Sequence, residues 1–174
     1  MNLDMSFRLK VLFEGFPYLH AIKYFKGEIV INIVVTKLNF KYLIQIIKLI
    51  EKLDAEKKIA IKLSNLIYNG DEKIYQKLAG EYCKIQPYLV NIIKYLLYKK
   101  RGYYIEKFPY CIAREISDQF VKEMELDKEI IIWDELCENC QYKNKGCVGF
   151  NINYIKYIQK NKHEAKILNN FKYG

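Results

Sequence analysis

The sequence predicts an α/β fold in which parallel strands alternate with amphipathic helices, followed by an irregular cysteine-rich segment. Two β-branched runs, over residues 28–36 and 58–63, indicate buried strands. Between them, apolar residues recur at the three- and four-residue spacing of a helix. This periodicity fades after Cys111. Strand, helix and strand in this order are typical of right-handed βαβ units and a parallel sheet.

The first β-branched run and the helix after it carry the clearest local patterns. The run is almost continuously apolar, so we expect a strand buried on both faces. We expect the side chain of Asn39 to cap a helix over residues 40–53. The predicted buried stripe of that helix consists of Phe40, Leu43, Ile44, Ile47, Ile50 and Leu53.

The remaining elements follow from shorter patterns. An amphipathic helix is predicted over residues 6–25, interrupted by Pro17. Two more helices are predicted over 72–79 and 86–99, and strands over 103–105 and 129–133. A lysine-rich helical tail is expected near the end of the chain. The inward residues predicted for the helix over 86–99 are Leu89, Ile92, Ile93, Leu96 and Leu97.

Composition restricts the class of protein. The chain has 174 residues, of which 51% are hydrophobic and 28% charged, as in one globular unit with a real core. Its apolar runs stop well short of the roughly 18 residues that cross a bilayer. No apolar signal segment is evident near the start. We therefore expect a cytoplasmic protein without a membrane partner, in which five cysteines would rarely form disulfides.

The net charge of +9 raises the question of nucleic-acid binding, because lysine and arginine neutralise phosphates. The arginines are only Arg8, Arg101 and Arg114, and the lysines are spread along every segment. Base reading and bidentate phosphate contacts favour arginine, whereas dispersed lysines mostly solvate helix faces. The charge pattern thus argues against specific nucleic-acid binding.

Four cysteines carry the strongest chemical signal. Cys111, Cys137, Cys140 and Cys147 have the spacing C-x25-C-x2-C-x6-C. The C-x2-C pair can supply two thiolates from one tight turn, and the other two arrive singly. Such a set suits tetrahedral zinc or an iron–sulfur cluster, and spacing alone does not separate the two.

The alternative is that these are ordinary packed cysteines, since a free thiol often behaves as a small apolar group. That interpretation suits Cys83, which has no partner at ligand spacing. It suits Cys137 and Cys140 poorly, because they lie among Glu, Asn, Gln and Lys. His20 and His163 lack ligand spacing and are interpreted as surface or packing residues.

Three stretches together resemble radical S-adenosylmethionine (radical SAM) proteins. Residues 30–39 and the apolar helix after them resemble a late barrel strand and helix of that family. The strand over 59–63, leading to Tyr68-Asn69-Gly70, resembles the next strand and its loop. Residues 108–111, 137–140 and 147–149 are similar to the C-terminal auxiliary-cluster segment related to the SPASM and twitch extensions.

The resemblance spans roughly residues 6–155 and implies a partial (half) TIM-like barrel of βα units over 1–108, with an iron–sulfur-binding segment over 109–174. It favours a [4Fe–4S] cluster over zinc, held by the four cysteines. By position in the family, the strand-end residues Thr36, Asn39, Ser64 and Asn65 would face an active site, although such polar residues are also ordinary turn and cap formers.

The family's C-x3-C-x2-C loop, whose thiolates hold the cluster that cleaves S-adenosylmethionine, does not occur in this sequence. The chain corresponds to the family from about the fourth barrel helix onward. We therefore expect no radical chemistry from this chain alone and no catalytic residues in it. A half barrel leaves a parallel strand edge and a sheet face uncovered, which implies a companion chain supplying the missing half, or self-association.

Three functional hypotheses result. In the first, the chain is a [4Fe–4S]-binding protein equivalent to the C-terminal half of a radical SAM enzyme, and it is one half of a split enzyme. In the second, it is a zinc-stabilised basic module that binds nucleic acid or a protein partner. In the third, it is a nonfunctional remnant. The sequence indicates no substrate for any of them.

Overall fold

The structure is a computed structural model, and the residues that it describes form an α/β unit. The structure describes residues 7–10, 29–54, 56, 58–67, 70–112, 131–132, 137–138, 140, 142–143 and 147–160. Its elements in chain order are β1 (Phe7–Lys10), β2 (Ile29–Val35), a 3₁₀ turn (Phe40–Tyr42), α1 (Leu43–Leu53), β3 (Ile59–Asn65), α2 (Glu72–Leu78), α3 (Tyr82–Tyr98), β4 (Tyr103–Glu106), β5 (Ile131–Ile132), β6 (Phe150–Asn151) and α4 (Ile152–Lys160).

A parallel sheet organises the described residues. Its strands lie in the order β1-β2-β3-β4, so every neighbour in the sheet is also the next strand in the chain. In the central pair, Ile29 aligns with Ile59 and Val35 with Asn65. A second, two-stranded antiparallel sheet joins β5 to β6. The predicted α/β class with parallel strands is confirmed.

One face of the parallel sheet is fully buried and the other only partly. Along β2, buried and half-buried residues alternate strictly. Ile31 and Ile33 lie on the buried face, whereas Asn32 and Val34 lie on the other. The prediction of a strand buried on both faces was therefore too strong. The β-branched residues on the second face fit the extended backbone without requiring full burial.

Helices α1 and α3 lie side by side over the buried face. The Tyr95 hydroxyl of α3 donates a hydrogen bond of 2.6 Å to the Glu51 carboxylate of α1. The predicted stripe of α1 is confirmed, since Phe40, Leu43, Ile47 and Ile50 are buried and Ile44 and Leu53 are partly buried. Because both helices cover the same sheet face, their apolar stripes form one core with β2, β3 and β4.

Asn39 has a different role from the predicted cap. Its side chain makes no capping hydrogen bond to the following helix. Its amide oxygen instead accepts the Thr36 backbone N–H at 2.8 Å, and its amide nitrogen donates to the Val34 carbonyl at 2.8 Å. Asn39 thus closes the turn after β2 and fixes where the helical segment begins.

Helix α3 begins earlier than predicted, at Tyr82, and continues through Pro87. Pro87 is the sixth residue of the helix, so it lacks an N–H that would normally donate to the carbonyl four residues earlier, and the helix continues despite this loss. Leu96 is buried as predicted, but the prediction for Leu97 was wrong, since its side chain is 47% exposed. One residue advances the helix by about 100°, which moves Leu97 off the inward stripe.

The first described element corrects another prediction. Residues 7–10, predicted as helix, form strand β1, which pairs with β2 in parallel from Phe7 opposite Ile29. Their sequence alternates apolar and charged residues, which is a strand pattern. The rest of the predicted helix over 6–25, and Tyr68 and Asn69 of the predicted loop, lie outside the described residues.

Candidate functional site

The candidate site begins where β4 ends, and Asn65 holds the chain at that point. Lys107 follows β4 and has a left-handed backbone with a φ of 65°. Such a conformation costs about 1 kcal/mol or more for a residue with a side chain. The Asn65 amide nitrogen donates to the Lys107 carbonyl at 2.9 Å. This bond fixes the point at which the chain leaves β4 and enters the segment that carries Tyr110 and Cys111.

The segment after this turn packs into the core. Phe108, Tyr110 and Ile112 are buried, and Cys111 between them is half-buried. The Ile112 backbone N–H donates to the Pro109 carbonyl at 3.1 Å, which closes a tight turn around Cys111. Pro109 is the first residue of this turn, and Tyr110 and Cys111 are the two central residues whose angles define it. The turn over residues 109–112 is here called the Cys111 loop.

Cys137 and Cys140 come from a second turn. The Cys140 backbone N–H donates to the Cys137 carbonyl at 3.2 Å, and the Lys143 N–H donates to the Cys140 carbonyl at 3.1 Å. Cys137 is buried and Cys140 is half-buried. The C-x2-C pair thus forms the compact turn that its spacing predicts, with both residues packed against the core.

Cys147 is held by two backbone hydrogen bonds to its sulfur. Its sulfur accepts the backbone N–H of Tyr110 at an N···S distance of 3.3 Å, and it also accepts the N–H of Gly149. Gly149 has a φ of 74°, a conformation that side-chain-bearing residues rarely adopt. Glycine at this position therefore lets the backbone turn its N–H toward the sulfur.

The local environment favours the neutral form of the Cys147 thiol over the thiolate. Burial raises the pKa of Cys147, the two backbone N–H donors act in the opposite direction, and a negative charge on Cys140 raises it further. Burial and the nearby Cys147 also raise the pKa of Tyr110. These mutual effects indicate that Tyr110, Cys140 and Cys147 are electrostatic neighbours.

The four predicted ligands pack against the same core, and in the part of the chain that the structure describes they do not form a ligand set. Cys111, Cys137, Cys140 and Cys147, here called the thiol site, all pack against the same core. None of the five cysteines, all of which lie within the described residues, forms a disulfide. Within the described residues, no three His, Cys, Asp or Glu side chains form a group that could hold a metal ion. The four thiols match a metal–thiolate centre in chemical kind, but the described residues do not assemble them into a ligand set.

The other residues that the sequence singled out have ordinary surroundings. Cys83 is half-buried, with its sulfur 4.0 Å from a Glu81 carboxylate oxygen, and lies in α3. Thr36 and Asn39 form the turn after β2. The Ser64 hydroxyl donates to the Asn32 side-chain oxygen at 2.7 Å. His20 and His163 lie outside the described residues.

An aromatic cluster that sequence reasoning missed packs the start of α3 against the segment that follows Cys147. The rings of Tyr82 and Tyr154 stack with centroids 3.9 Å apart, and Phe150 stacks on Tyr154 at 6.1 Å. Tyr157 packs against Tyr154 one turn further along α4. The only sequence signal was the helical spacing of Tyr154 and Tyr157, because Tyr82 lies 72 residues away.

Fold and site together define an α/β protein with a parallel sheet and four cysteines after the last parallel strand. No protein-family model, curated protein or solved structure matches this chain. Among the helices that the structure describes, none has the length and apolar character needed to span a membrane.

Proposed function

We propose that the thiol site binds a [4Fe–4S] cluster through Cys111, Cys137, Cys140 and Cys147. The observation that carries the proposal is the hydrogen bond from the Tyr110 N–H to the Cys147 sulfur. It fastens two segments 37 residues apart, so that the Cys111 loop and Cys147 lie against each other. Backbone N–H donors directed at sulfur are a usual feature around cluster ligands.

Zinc is the alternative occupant. Its support is the C-x2-C turn, which is a common zinc-binding element, and the net charge of +9, which would suit a basic module for nucleic acid or an acidic protein partner. The cluster is favoured because two of the four ligands arrive singly on separate segments. The resemblance of these segments to the radical SAM auxiliary-cluster region favours it as well.

We further propose that the parallel sheet is part of a half TIM-like barrel. The support is its strand order, in which each strand pairs with the next, as in successive βα units of a barrel. In this proposal the protein is cytoplasmic, and a companion chain or a second copy covers the open edge and face. The cluster would then anchor substrate or transfer electrons within that assembly, because this sequence lacks the C-x3-C-x2-C loop for S-adenosylmethionine cleavage.

The decisive experiment is anaerobic purification followed by metal and sulfide analysis and absorption spectroscopy. We expect a brown protein with about four iron and four sulfide per chain and broad thiolate-to-iron charge-transfer absorption. A colourless protein holding one zinc per chain would overturn the cluster and favour the zinc module. A folded protein that binds neither would contradict both and leave the chain as a remnant.

A matched pair of variants tests the ligand assignment. Cys140→Ser and Cys83→Ser each replace a half-buried cysteine. We expect the first to lose the iron and the visible absorption, because one thiolate ligand is gone, and the second to retain both. Equal loss in the two variants would refute the assignment.

A further inference from the structure

One hydrogen-bond network connects the end of the parallel sheet to both flanks of the thiol site. The Asn65 amide donates to the Tyr82 hydroxyl at 2.7 Å and to the Lys107 carbonyl at 2.9 Å. The Tyr82 backbone N–H in turn donates to the Tyr154 hydroxyl at 3.1 Å. The network therefore joins β3, the N-terminus of α3, the loop after β4, and α4.

The two ends of this network are close in sequence to two of the proposed ligands. Lys107 lies four residues before Cys111, and Tyr154 lies seven residues after Cys147. The same two segments meet again at the 3.3 Å contact between the Tyr110 N–H and the Cys147 sulfur. A shift of the segment after β4 relative to the segment that carries Cys147 would therefore change the distance from the Tyr110 N–H to the Cys147 sulfur.

We propose that Asn65 and Tyr82 are positioning residues, which set the placement of the Cys111 loop relative to Cys147. That this placement serves a metal–thiolate centre rests on the proposed function. The effect of Asn65 and Tyr82 on the loop can be measured in the metal-free protein. Asn65 is suited to this role because both N–H groups of its amide are used, one toward α3 and one toward the Cys111 loop.

Burial makes these bonds hard to replace. Asn65, Tyr82 and Tyr154 are 6%, 2% and 0% exposed. Water cannot replace the acceptor of a buried N–H group, so removing one hydroxyl leaves the N–H that donated to it without a hydrogen bond. The stacked rings of Tyr82 and Tyr154 would remain after removal of either hydroxyl, so the variants below retain the apolar contact.

The first test uses Tyr82→Phe in the full-length, metal-free protein. It removes the hydroxyl that Asn65 contacts and preserves the ring. The matched control is Tyr95→Phe on the same helix, which also loses one hydroxyl hydrogen bond, to Glu51 on α1. We expect iodoacetamide to alkylate Cys147 roughly fivefold faster in Tyr82→Phe than in the control, measured by peptide mass spectrometry.

A second variant covers the case in which Tyr82→Phe does not fold. Tyr154→Phe removes the acceptor of the Tyr82 N–H, and we expect the same acceleration at Cys147. The Tyr95→Phe control supplies the reference rate, because Cys83 lies next to Tyr82 and its own rate can change in these variants. Equal Cys147 rates in the folded hydroxyl variants and in the Tyr95→Phe control would overturn the positioning role.

Cobalt titration separates this inference from the proposed function. We expect Co²⁺ to give thiolate-to-cobalt absorption with the wild type, with an affinity roughly fivefold weaker in Tyr82→Phe and unchanged in Tyr95→Phe. If the wild type binds no Co²⁺ and takes up no cluster but Cys147 alkylation still accelerates, the proposed metal site fails and the positioning role stands. If cobalt binding is intact but alkylation is unchanged, the positioning role fails and the metal site stands.

Discussion

Lys100 has a left-handed backbone at the end of α3, a position that glycine usually occupies. Its φ is 51°, its N–H donates to the Leu97 carbonyl at 3.0 Å, and the N–H of Arg101 donates to the Leu96 carbonyl at 3.1 Å. This pattern of bonds ends many helices. The side chain of Lys100 therefore makes the helix end less stable than glycine would, even though the hydrogen bonds are formed.

We predict that Lys100→Gly increases the free energy of unfolding by about 0.5–1 kcal/mol, because it removes the steric cost of a left-handed residue. Urea denaturation followed by circular dichroism measures the change. Lys99→Gly is the control: Lys99 has a φ of −76°, so glycine there should destabilise the protein. Stabilisation by both substitutions, or by neither, would contradict the explanation.

Single residues also show which parts of the thiol site can be predicted from the sequence. The four cysteines were identified because their type and spacing are local signals. Asn65 and Tyr82 were not identified as partners, because each has an ordinary local context, and their contacts with Lys107 and Tyr154 depend on the tertiary fold. Asn65 was singled out only as a strand-end residue.

At the scale of elements, the predictions succeeded where the pattern is long. Strands β2 and β3 and helix α1 have seven, seven and eleven residues and clear periods. Strand β1 has four residues, which is too short for alternation to outweigh the helical spacing around it. Strand β6 has two residues and exists through its pairing with β5, so no local pattern could indicate it.

A buried ion pair joins three elements at the starts of the strands. Asp54 follows α1, and its carboxylate accepts the backbone N–H groups of Lys58 and Ile59 at 2.9 Å each. Arg101, just before β4, donates to the same carboxylate at 2.6 and 2.7 Å. Both side chains are almost fully buried. The pair thus fixes where β3 and β4 begin relative to α1.

We predict that Asp54→Asn lowers the free energy of unfolding by about 3–5 kcal/mol, because it leaves the Arg101 charge buried without a counterion. Urea denaturation checks this value. Glu56→Gln is the control, since the Glu56–Lys58 pair is about 70% exposed on both sides and is screened by solvent, so its loss should change the free energy of unfolding far less. A small effect of Asp54→Asn would mean that water reaches the Arg101 guanidinium.

At the scale of the whole molecule, one core connects the sheet with the cysteine-rich segment. The buried residues of β2, β3 and α3 belong to the same cluster as Tyr110, Cys147 and Tyr154. The division predicted at residue 108 separates two kinds of sequence, regular before it and irregular after it. The buried residues on either side of residue 108 nevertheless pack together.

We therefore predict that the metal-free protein unfolds in a single transition. Trp133 is the only tryptophan and belongs to the cysteine-rich segment by sequence, whereas far-ultraviolet circular dichroism reports mainly on the helices. The urea midpoints from tryptophan fluorescence and from circular dichroism should coincide, because a shared core unfolds cooperatively. Two separated midpoints would show that the segment after residue 108 is an independent unit.

The direction of the parallel strands has a practical consequence for mutagenesis. Lys100 and the Asp54–Arg101 pair lie at the starts of β3 and β4, whereas Asn65, Lys107 and the loop carrying Cys111 lie at their ends. The seven residues of β3 separate the two groups by about 20 Å. Effects of substitutions that far apart usually add. Lys100→Gly is therefore a suitable background for cysteine variants, because it can offset part of their instability without touching the thiols.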